Sequence, residues 1–271
     1  MYVYVRKIFS RVWFFPFFWN LGPSKFSYTS KNNTLKDTFC FKKFKIDQER
    51  CAMKIGTDGV LLGAWTNVDF EPQSILDIGA GTGVLSLMLA QRCDAPTIDA
   101  LEIDENAYEQ CVENFEASPW GDRLYCYHAG LDEFVDEVDE VYDLIISNPP
   151  FYSETVSSGN TSRDLARQND TLPFTELVES VSKLLSYRGT FSVIIPYKET
   201  EEFIALANTS GLYVWRICSV RGHSDAPLKR SLIEFSRTKA DAIVETLTIE
   251  KERHEYTEAY VALTKDFYLK M

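Results

Sequence analysis

The sequence predicts an α/β fold: a doubly wound, mostly parallel sheet with helices on both faces. Three observations predict it. Apolar runs of strand length alternate with helix-length segments between residues 74 and 196. A glycine-rich turn joins the first of those strands to the helix that follows it. The composition suits a folded chain of mainly one domain, with 271 residues, 45% hydrophobic content and 25% charged residues.

Taken in order, Phe39, Phe41, Phe44 and Ile46 suggest a short strand, and Thr57-Asp58 offers N-cap oxygens before a helix at residues 60–65. Residues 74–78 read as a buried strand, 82–92 as a helix, 97–103 as a strand and 105–116 as a helix. Residues 124–128 and 142–147 read as further strands, 174–185 as a helix and 190–196 as a strand. Strands alternating with helices require crossover connections, and hence a parallel sheet covered on both faces. After a further helix, the remainder is rich in strands at 212–220, 231–237 and 244–249. It closes with a helix that spaces Tyr256, Tyr260, Leu263 and Phe267 for core packing.

The first 38 residues differ from the rest. Residues 1–33 hold eleven aromatics, five bases and no acid. Arg6, Lys7 and Arg11 precede an apolar run, as in a secretory signal, but Pro16 interrupts the run and no A-x-A-like cleavage site follows. Residues 1–38 are therefore expected to be a poorly ordered extension or the product of a mis-assigned start, and residues 39–271 the functional domain. Six cysteines without a C-x-x-C pair, and three scattered histidines, point away from a metal site and toward a reduced, cytoplasmic protein. No apolar stretch reaches the length of a membrane-spanning helix.

With 28 basic and 40 acidic side chains the net charge is −12, which argues at first against a nucleic-acid partner. The distribution says more. Residues 99–143 hold fifteen acids and one arginine, whereas 39–54 hold five bases and two acids, and 216–239 six bases and two acids. Either these are ordinary solvated faces, or the molecule is an acidic body with two basic rims.

The strand at 75–78 runs into Gly79-Ala80-Gly81-Thr82-Gly83 and then a helix, so backbone N–H groups gather at a strand-to-helix turn. Glycine suits such a cradle because it tolerates positive φ and lets a ligand approach the backbone. The G-x-G-x-x-G dinucleotide pattern fails, since Val84 and Ser86 fall where the third glycine would be. The P-loop and the G-x-S-x-G elbow are also missing. What the segment matches is Asp77-x-Gly79-x-Gly81-x-Gly83, and here the chain resembles the class I, Rossmann-like S-adenosylmethionine-dependent methyltransferases. That resemblance implies a seven-stranded sheet and an S-adenosylmethionine cofactor. Asp77 would organise the loop and favour the cationic end of the cofactor. Glu102, nineteen residues past Gly83, would accept from the ribose hydroxyls, with Asp104 a competitor. Asp132 stands where the family often contacts the adenine.

At the end of the fourth strand of the alternating series stands Asn148-Pro149-Pro150-Phe151. Two prolines fix φ and remove two donors, leaving rigid carbonyl acceptors. An exocyclic amine conjugated with a ring is a poor nucleophile; the Asn148 side-chain oxygen and the Pro149 carbonyl can accept its two N–H bonds and aim its lone pair. Phe151 would stack on the base. The pattern serves adenine N6 and protein glutamine alike, because both present a planar NH2.

The choice comes from outside the motif. Residues 39–66, from Phe39-Cys40-Phe41-Lys42-Lys43-Phe44 through Met53-Lys54-Ile55-Gly56-Thr57-Asp58-Gly59 to Trp65, resemble the bacterial tRNA1(Val) adenine-37 N6-methyltransferase family. So do Ser118-Pro119-Trp120, Arg163 with Arg167, and the ending from Tyr256 through Leu269. The resemblance implies methylation of N6 of adenine 37 in the tRNA1(Val) anticodon stem-loop by a monomer without a metal. Lys42, Lys43, Lys45 and Lys54 would meet phosphates on one rim and Arg216, Arg221, Lys229 and Arg230 on the other, with Arg163 and Arg167 guiding the target strand. The alternatives are N5-methylation of a glutamine in a protein such as a release factor, and a catalytically silent RNA-binding module.

Overall fold

The computed structural model describes residues 37–150 and 172–271. Phe151, Arg163, Arg167 and residues 1–36 lie outside the described residues. The chain opens with a small antiparallel hairpin, β1 (Thr38–Cys40) and β2 (Lys45–Asp47), where the sequence predicted one strand. The two lysines at 42 and 43 fall in its turn, closed by the Phe41 N–H donating to the Phe44 carbonyl at 2.9 Å. Its apolar residues behave as the pattern required: Phe41, Phe44 and Ile46 are buried. Phe41 stacks on Phe44 with centroids 4.6 Å apart, and Phe44 meets Trp120 edge-on at 5.9 Å. Ser118-Pro119-Trp120 thus anchors the hairpin to the body.

Helix α1 (Thr57–Trp65) is buried almost all round. Its N-cap is Gly56, without a side-chain cap, so the caps expected from Thr57-Asp58 are not made. Asp58 instead pairs with Arg230, Nε to Oδ2 at 2.7 Å. Then follow β3 (Ser74–Ile78), α2 (Val84–Arg92), β4 (Thr97–Glu102), α3 (Glu105–Glu116), β5 (Leu124–His128), α4 (Leu131–Glu137) and β6 (Tyr142–Ser147). After the 151–171 stretch come α5 (Phe174–Leu184), β7 (Leu185–Pro196), α6 (Thr200–Thr209), β8 (Tyr213–His223), β9 (Arg230–Ser236), β10 (Ile243–Glu252), β11 (Glu255–Tyr256) and α7 (Glu258–Thr264). Helix α4 escaped the sequence because only Leu131 and Phe134 of its seven residues are buried among acids.

The main sheet has the order β11-β10-β8-β9-β7-β6-β3-β4-β5. Among the described residues it holds nine strands where seven were expected. The core of the α/β fold is as predicted, with β3 to β7 parallel and β9 inserted antiparallel between β7 and β8. The two additions are β10, which pairs parallel with β8, and the short β11 that folds back on it. Apolar side chains fill both faces of the sheet. Register decides what the C-terminal edge presents. Ile78 pairs with Leu101 and with Ser147, Ser147 pairs with Val193, and Glu102 with His128. The glycine loop, the residues after Glu102, Ala129 and Asn148 therefore all leave the sheet along one rim, where α/β proteins place their sites.

Candidate active site

The glycine loop bridges β3 and α2 in a conformation that ordinary residues resist, with φ of 75°, 55° and 79° at Gly79, Gly81 and Gly83. The N–H groups of Gly79 and Ala80 both donate to the Leu101 carbonyl, at 3.0 and 2.8 Å, which fastens the loop across the end of β4. The three glycines differ in what surrounds them. A Cβ on Gly79 or Gly81 would meet nothing within 4 Å, so their open side is free for a ligand. A Cβ on Gly83 would lie 2.6 Å from Phe115 and 2.9 Å from Cys111 of α3. Ligand approach, the sequence reason for this glycine, gives way to helix packing: Gly83 lets α3 close against the loop. Asn114 reinforces that joint, its Nδ2 donating to the Thr82 carbonyl and to the Asp47 carbonyl, both at 2.9 Å.

Glu102 stands at the end of β4 with one carboxylate oxygen accepting the Gly81 N–H at 2.7 Å and the other the Asp104 N–H at 2.9 Å. Each oxygen keeps a second lone pair, which leaves capacity for hydroxyl donors. Asp104 is the N-cap of α3, its side chain accepting from the Ala107 N–H at 2.8 Å, so this competitor for the ribose has a structural duty. Asp77 lies beneath the loop rather than in it, with no exposed surface. One oxygen accepts from the Ser86 hydroxyl at 2.7 Å and its N–H at 3.1 Å, while Oδ1 is buried without a hydrogen-bond partner. Burial pushes this carboxyl up to about 7 against the pull of Ser86, and the charge of Glu102 adds to the rise. Asp132 is exposed in the first turn of α4, beyond β5 on the same rim.

A residue the sequence did not single out completes this end. Ile103 is 71% exposed directly after Glu102, and its Cδ1 lies 3.9 Å from a Cβ built on Gly130. An exposed isoleucine beside a carboxylate and a glycine offers an apolar wall to a nucleoside. Its signal in the sequence was only its position, an aliphatic residue one step past a strand. The open side at Gly79 and Gly81, the Glu102 carboxylate, the Ile103 wall and the orphaned Asp77 oxygen together fit an elongated donor with a ribose and a cationic end.

Asn148 emerges on the neighbouring strand. The Ser147 hydroxyl donates to the Ile78 carbonyl at 2.8 Å, locking the end of β6 to the end of β3 one residue before each chain leaves the sheet. Gly59 of α1 lies against it, a Cβ there falling 3.9 Å from Asn148 Nδ2 and 3.4 Å from Val84. The amide is thus held where α1 and α2 both begin. Pro149 is buried and Pro150 half-buried.

The basic rims divide on inspection. Lys43 and Lys45 are exposed on the hairpin, while Lys42 donates to the Lys265 carbonyl and Lys54 to the Gln48 carbonyl, with Asp37 3.1 Å away. On the second rim, Arg221, Lys229 and Arg230 belong to the site end of β8 and β9. Arg216 belongs to the opposite end. It donates to the Trp65 carbonyl at 2.6 Å, stacks 3.8 Å over the Trp65 ring and faces Glu245 at 3.6 Å. Its assignment to the RNA rim is corrected: it caps α1 and ties it to the sheet.

This rim and its glycine loop define a class I methyltransferase, in which the methyl donor is S-adenosylmethionine. The methyltransferase small domain family matches residues 55–172. A tRNA1(Val) (adenine(37)-N6)-methyltransferase of Flavobacterium psychrophilum is 59% identical over 86% of this chain and 100% of its own. One from Bacteroides fragilis is 46% identical over 86% of this chain and 98% of its own. The chain belongs to the tRNA1(Val) (adenine(37)-N6)-methyltransferase family. In fold it is similar to a predicted O-methyltransferase of Agrobacterium tumefaciens (TM-score 0.61, 18% identity, 78% of this chain and 96% of that one). It is also similar to a ribosomal protein L11 methylase of Lactobacillus delbrueckii (TM-score 0.52, 16% identity, 72% and 84%). Among the described residues no helix is long and apolar enough to cross a membrane, and no cluster of three or more His, Cys, Asp or Glu could hold a metal.

Proposed function

We propose that this protein transfers a methyl group to N6 of adenine 37 in the anticodon loop of tRNA1(Val), acting as a monomer in the cytoplasm. One observation carries the reading: Ile78 and Ser147 are paired neighbours, so the glycine loop and Asn148 leave adjacent strands side by side. The names of the relatives supply the nucleotide. The domain taken to do this is residues 39–271, with residues 1–38 an extension; the matched relatives span 233 or 234 residues, close to their whole length.

Bound S-adenosylmethionine supplies an electrophilic methyl on a sulfonium. Gly79, Ala80 and Gly81 form its cradle, with Gly83 closing the loop against α3 behind it; Glu102 accepts from its ribose hydroxyls, Ile103 and Asp132 flank its base, and Asp77 acts from beneath through its field. On the substrate side, Asn148 Oδ1 and the Pro149 carbonyl accept the two amine hydrogens, with Pro150 holding that backbone rigid and Phe151 stacking on the flipped base. Fixing the amine in this way does the work that a general base would do elsewhere, since the proton can leave after methyl transfer.

Labelled S-adenosylmethionine offered with total tRNA or with release factor separates the readings. Label in tRNA, found as N6-methyladenosine at position 37 by nucleoside mass spectrometry, supports the proposal. Label in the protein overturns it in favour of glutamine methylation, and label in neither favours a silent RNA-binding module. Asn148→Ala should keep cofactor binding and lower kcat by roughly 10²–10³, as removal of a preorganised polar group does elsewhere. Unchanged turnover would remove Asn148 from the chemistry.

A further inference from the structure

Apart from Tyr125 near the start of β5 and Leu269 near the C-terminus, the large apolar side chains exposed on the described surface divide by the end of the sheet they occupy. Phe70, Val141, Tyr187, Trp215, Ile243 and Val244 lie at or near the starts of the parallel strands, away from the site. Four others are near the rim where the loops converge: Met53, Ile103, Tyr197 and Tyr256. Ile103 already has its place beside Glu102. Tyr256 is on β11, the far edge of the sheet and five strands from β6, which at about 4.8 Å per strand is roughly 24 Å away. Met53 has no aromatic face to stack on a base. Tyr197 follows the end of β7, the strand hydrogen-bonded to the one that delivers Asn148.

Its height and neighbours are informative. Val193 is level with Ser147, and β7 continues three residues further to Pro196, so Tyr197 stands roughly 10 Å above the point where Asn148 leaves the sheet. Its backbone N–H donates to the Lys229 carbonyl at 3.0 Å, and Pro196 pairs with Arg230. Lys198 follows with a 60% exposed side chain. The tyrosine is 41% exposed, and cationic residues lie on both sides of it: Lys198 in sequence, Lys229 and Arg230 across the strand. Glu199 and Asp58 offset part of that charge, at 3.7 Å from Lys198 and 2.7 Å from Arg230. A half-exposed aromatic ring among cations, beside an amine-binding loop, is the composition that binds single-stranded nucleic acid: the ring stacks on a base and the cations track the backbone.

We propose that Tyr197 is a stacking platform for an anticodon-loop nucleotide next to the target adenine, with Lys198 and Lys229 on the adjoining phosphates. The proposal rests on the tRNA substrate argued above and adds the residue that holds the loop once its adenine is turned out. A protein substrate would have no flanking base to place there.

The test is steady-state methylation of tRNA1(Val) transcript, with binding of a fluorescent anticodon stem-loop and of S-adenosylmethionine measured alongside. Tyr197→Ala should raise KM for tRNA and the stem-loop Kd about tenfold or more while leaving kcat and cofactor Kd within about twofold. Tyr197→Phe keeps the ring and should restore KM to within about twofold. A Tyr197→Ala enzyme with unchanged KM, beside an active wild type, overturns the platform and leaves the tRNA reading intact. So does a Phe variant as poor as the Ala variant. If wild type neither binds nor methylates tRNA, the platform and the substrate reading fall together.

Discussion

The two halves of the rim are built by different means. On the side of β3, β4 and β5 the site is a glycine turn at positive φ whose N–H groups are held within the fold and whose open side faces the ligand, a carboxylate already engaged by the loop, and a buried aspartate. On the side of β7, β8 and β9, and on the β1–β2 hairpin, the working groups are exposed side chains at strand ends and turns. A site made of backbone has its positions dictated by the fold. A site made of surface cations does not, and a lysine is held by the fold in one place and offers itself to solvent in another, as Lys54 and Lys43 show.

The largest effect that sharpens this contrast comes from the glycines. Gly83→Ala forces a Cβ into Phe115 and Cys111 and keeps a strained φ, so it should destabilise the fold by roughly 2–4 kcal/mol. At about 2–4 °C per kcal/mol for a domain of this size, thermal denaturation should show a drop of roughly 5–15 °C. Gly81→Ala carries only the φ penalty, about 1 kcal/mol, but fills the open side of the cradle. Calorimetry should show it losing S-adenosylmethionine affinity with little loss of stability. If the two variants behave alike, the division of labour among the glycines is wrong.

That division also marks how far the sequence could be read. Strands β3, β5 and β6 and helix α3 were legible residue for residue, because a buried strand and an amphipathic helix each write their period into the chain. The glycine turn was legible because positive φ demands that residue type, and the places of Glu102 and Asn148 at strand ends were legible with the strands that carry them. What was not legible depends on tertiary partners. The sequence could not tell that Gly83 faces α3, that Asp58 would pair with Arg230 instead of capping its helix, or that β10 and β11 would extend the sheet. Tyr197 gave no local signal, since a tyrosine after a strand is ordinary until register puts it above the exit of Asn148 from the neighbouring strand.

A second comparison separates cations that face solvent from those bound within the fold. Lys43→Ala with Lys45→Ala should leave the melting temperature unchanged and weaken tRNA binding. It should also lower the slope of log K against log salt by roughly 0.7–0.9 for each phosphate that is no longer neutralised. Arg216→Ala should do the reverse. It removes the cap on Trp65 and the cation above its ring, and leaves buried Glu234 with only Arg92 as a nearby compensating cation. A loss of about 2–3 kcal/mol in stability with an unaltered salt slope is expected. A flattened slope in Arg216→Ala would return that residue to the RNA interface.

A further contrast lies in the buried carboxylate. Burial pushes the Asp77 carboxyl up from its ordinary 3.8 to about 7, so the folded state binds its proton more tightly. Its contribution is therefore fully present below about pH 4 and is lost progressively as pH rises toward 7, after which it is constant. Asp77→Asn keeps an acceptor for Ser86 and cannot ionise, so the difference in melting temperature between mutant and wild type should grow in the mutant's favour from pH 4 to 7 and then level off. In the same variant the negative field beneath the cradle is gone, and affinity for the cationic donor at pH 8 should fall while its pH dependence between 6 and 8 flattens. Thermal melts and isothermal titration across that range measure both. A stability gain without any change in donor affinity would mean that Asp77 serves the turn into α2 alone, and that the cofactor half of the rim works through backbone and Glu102 without help from below.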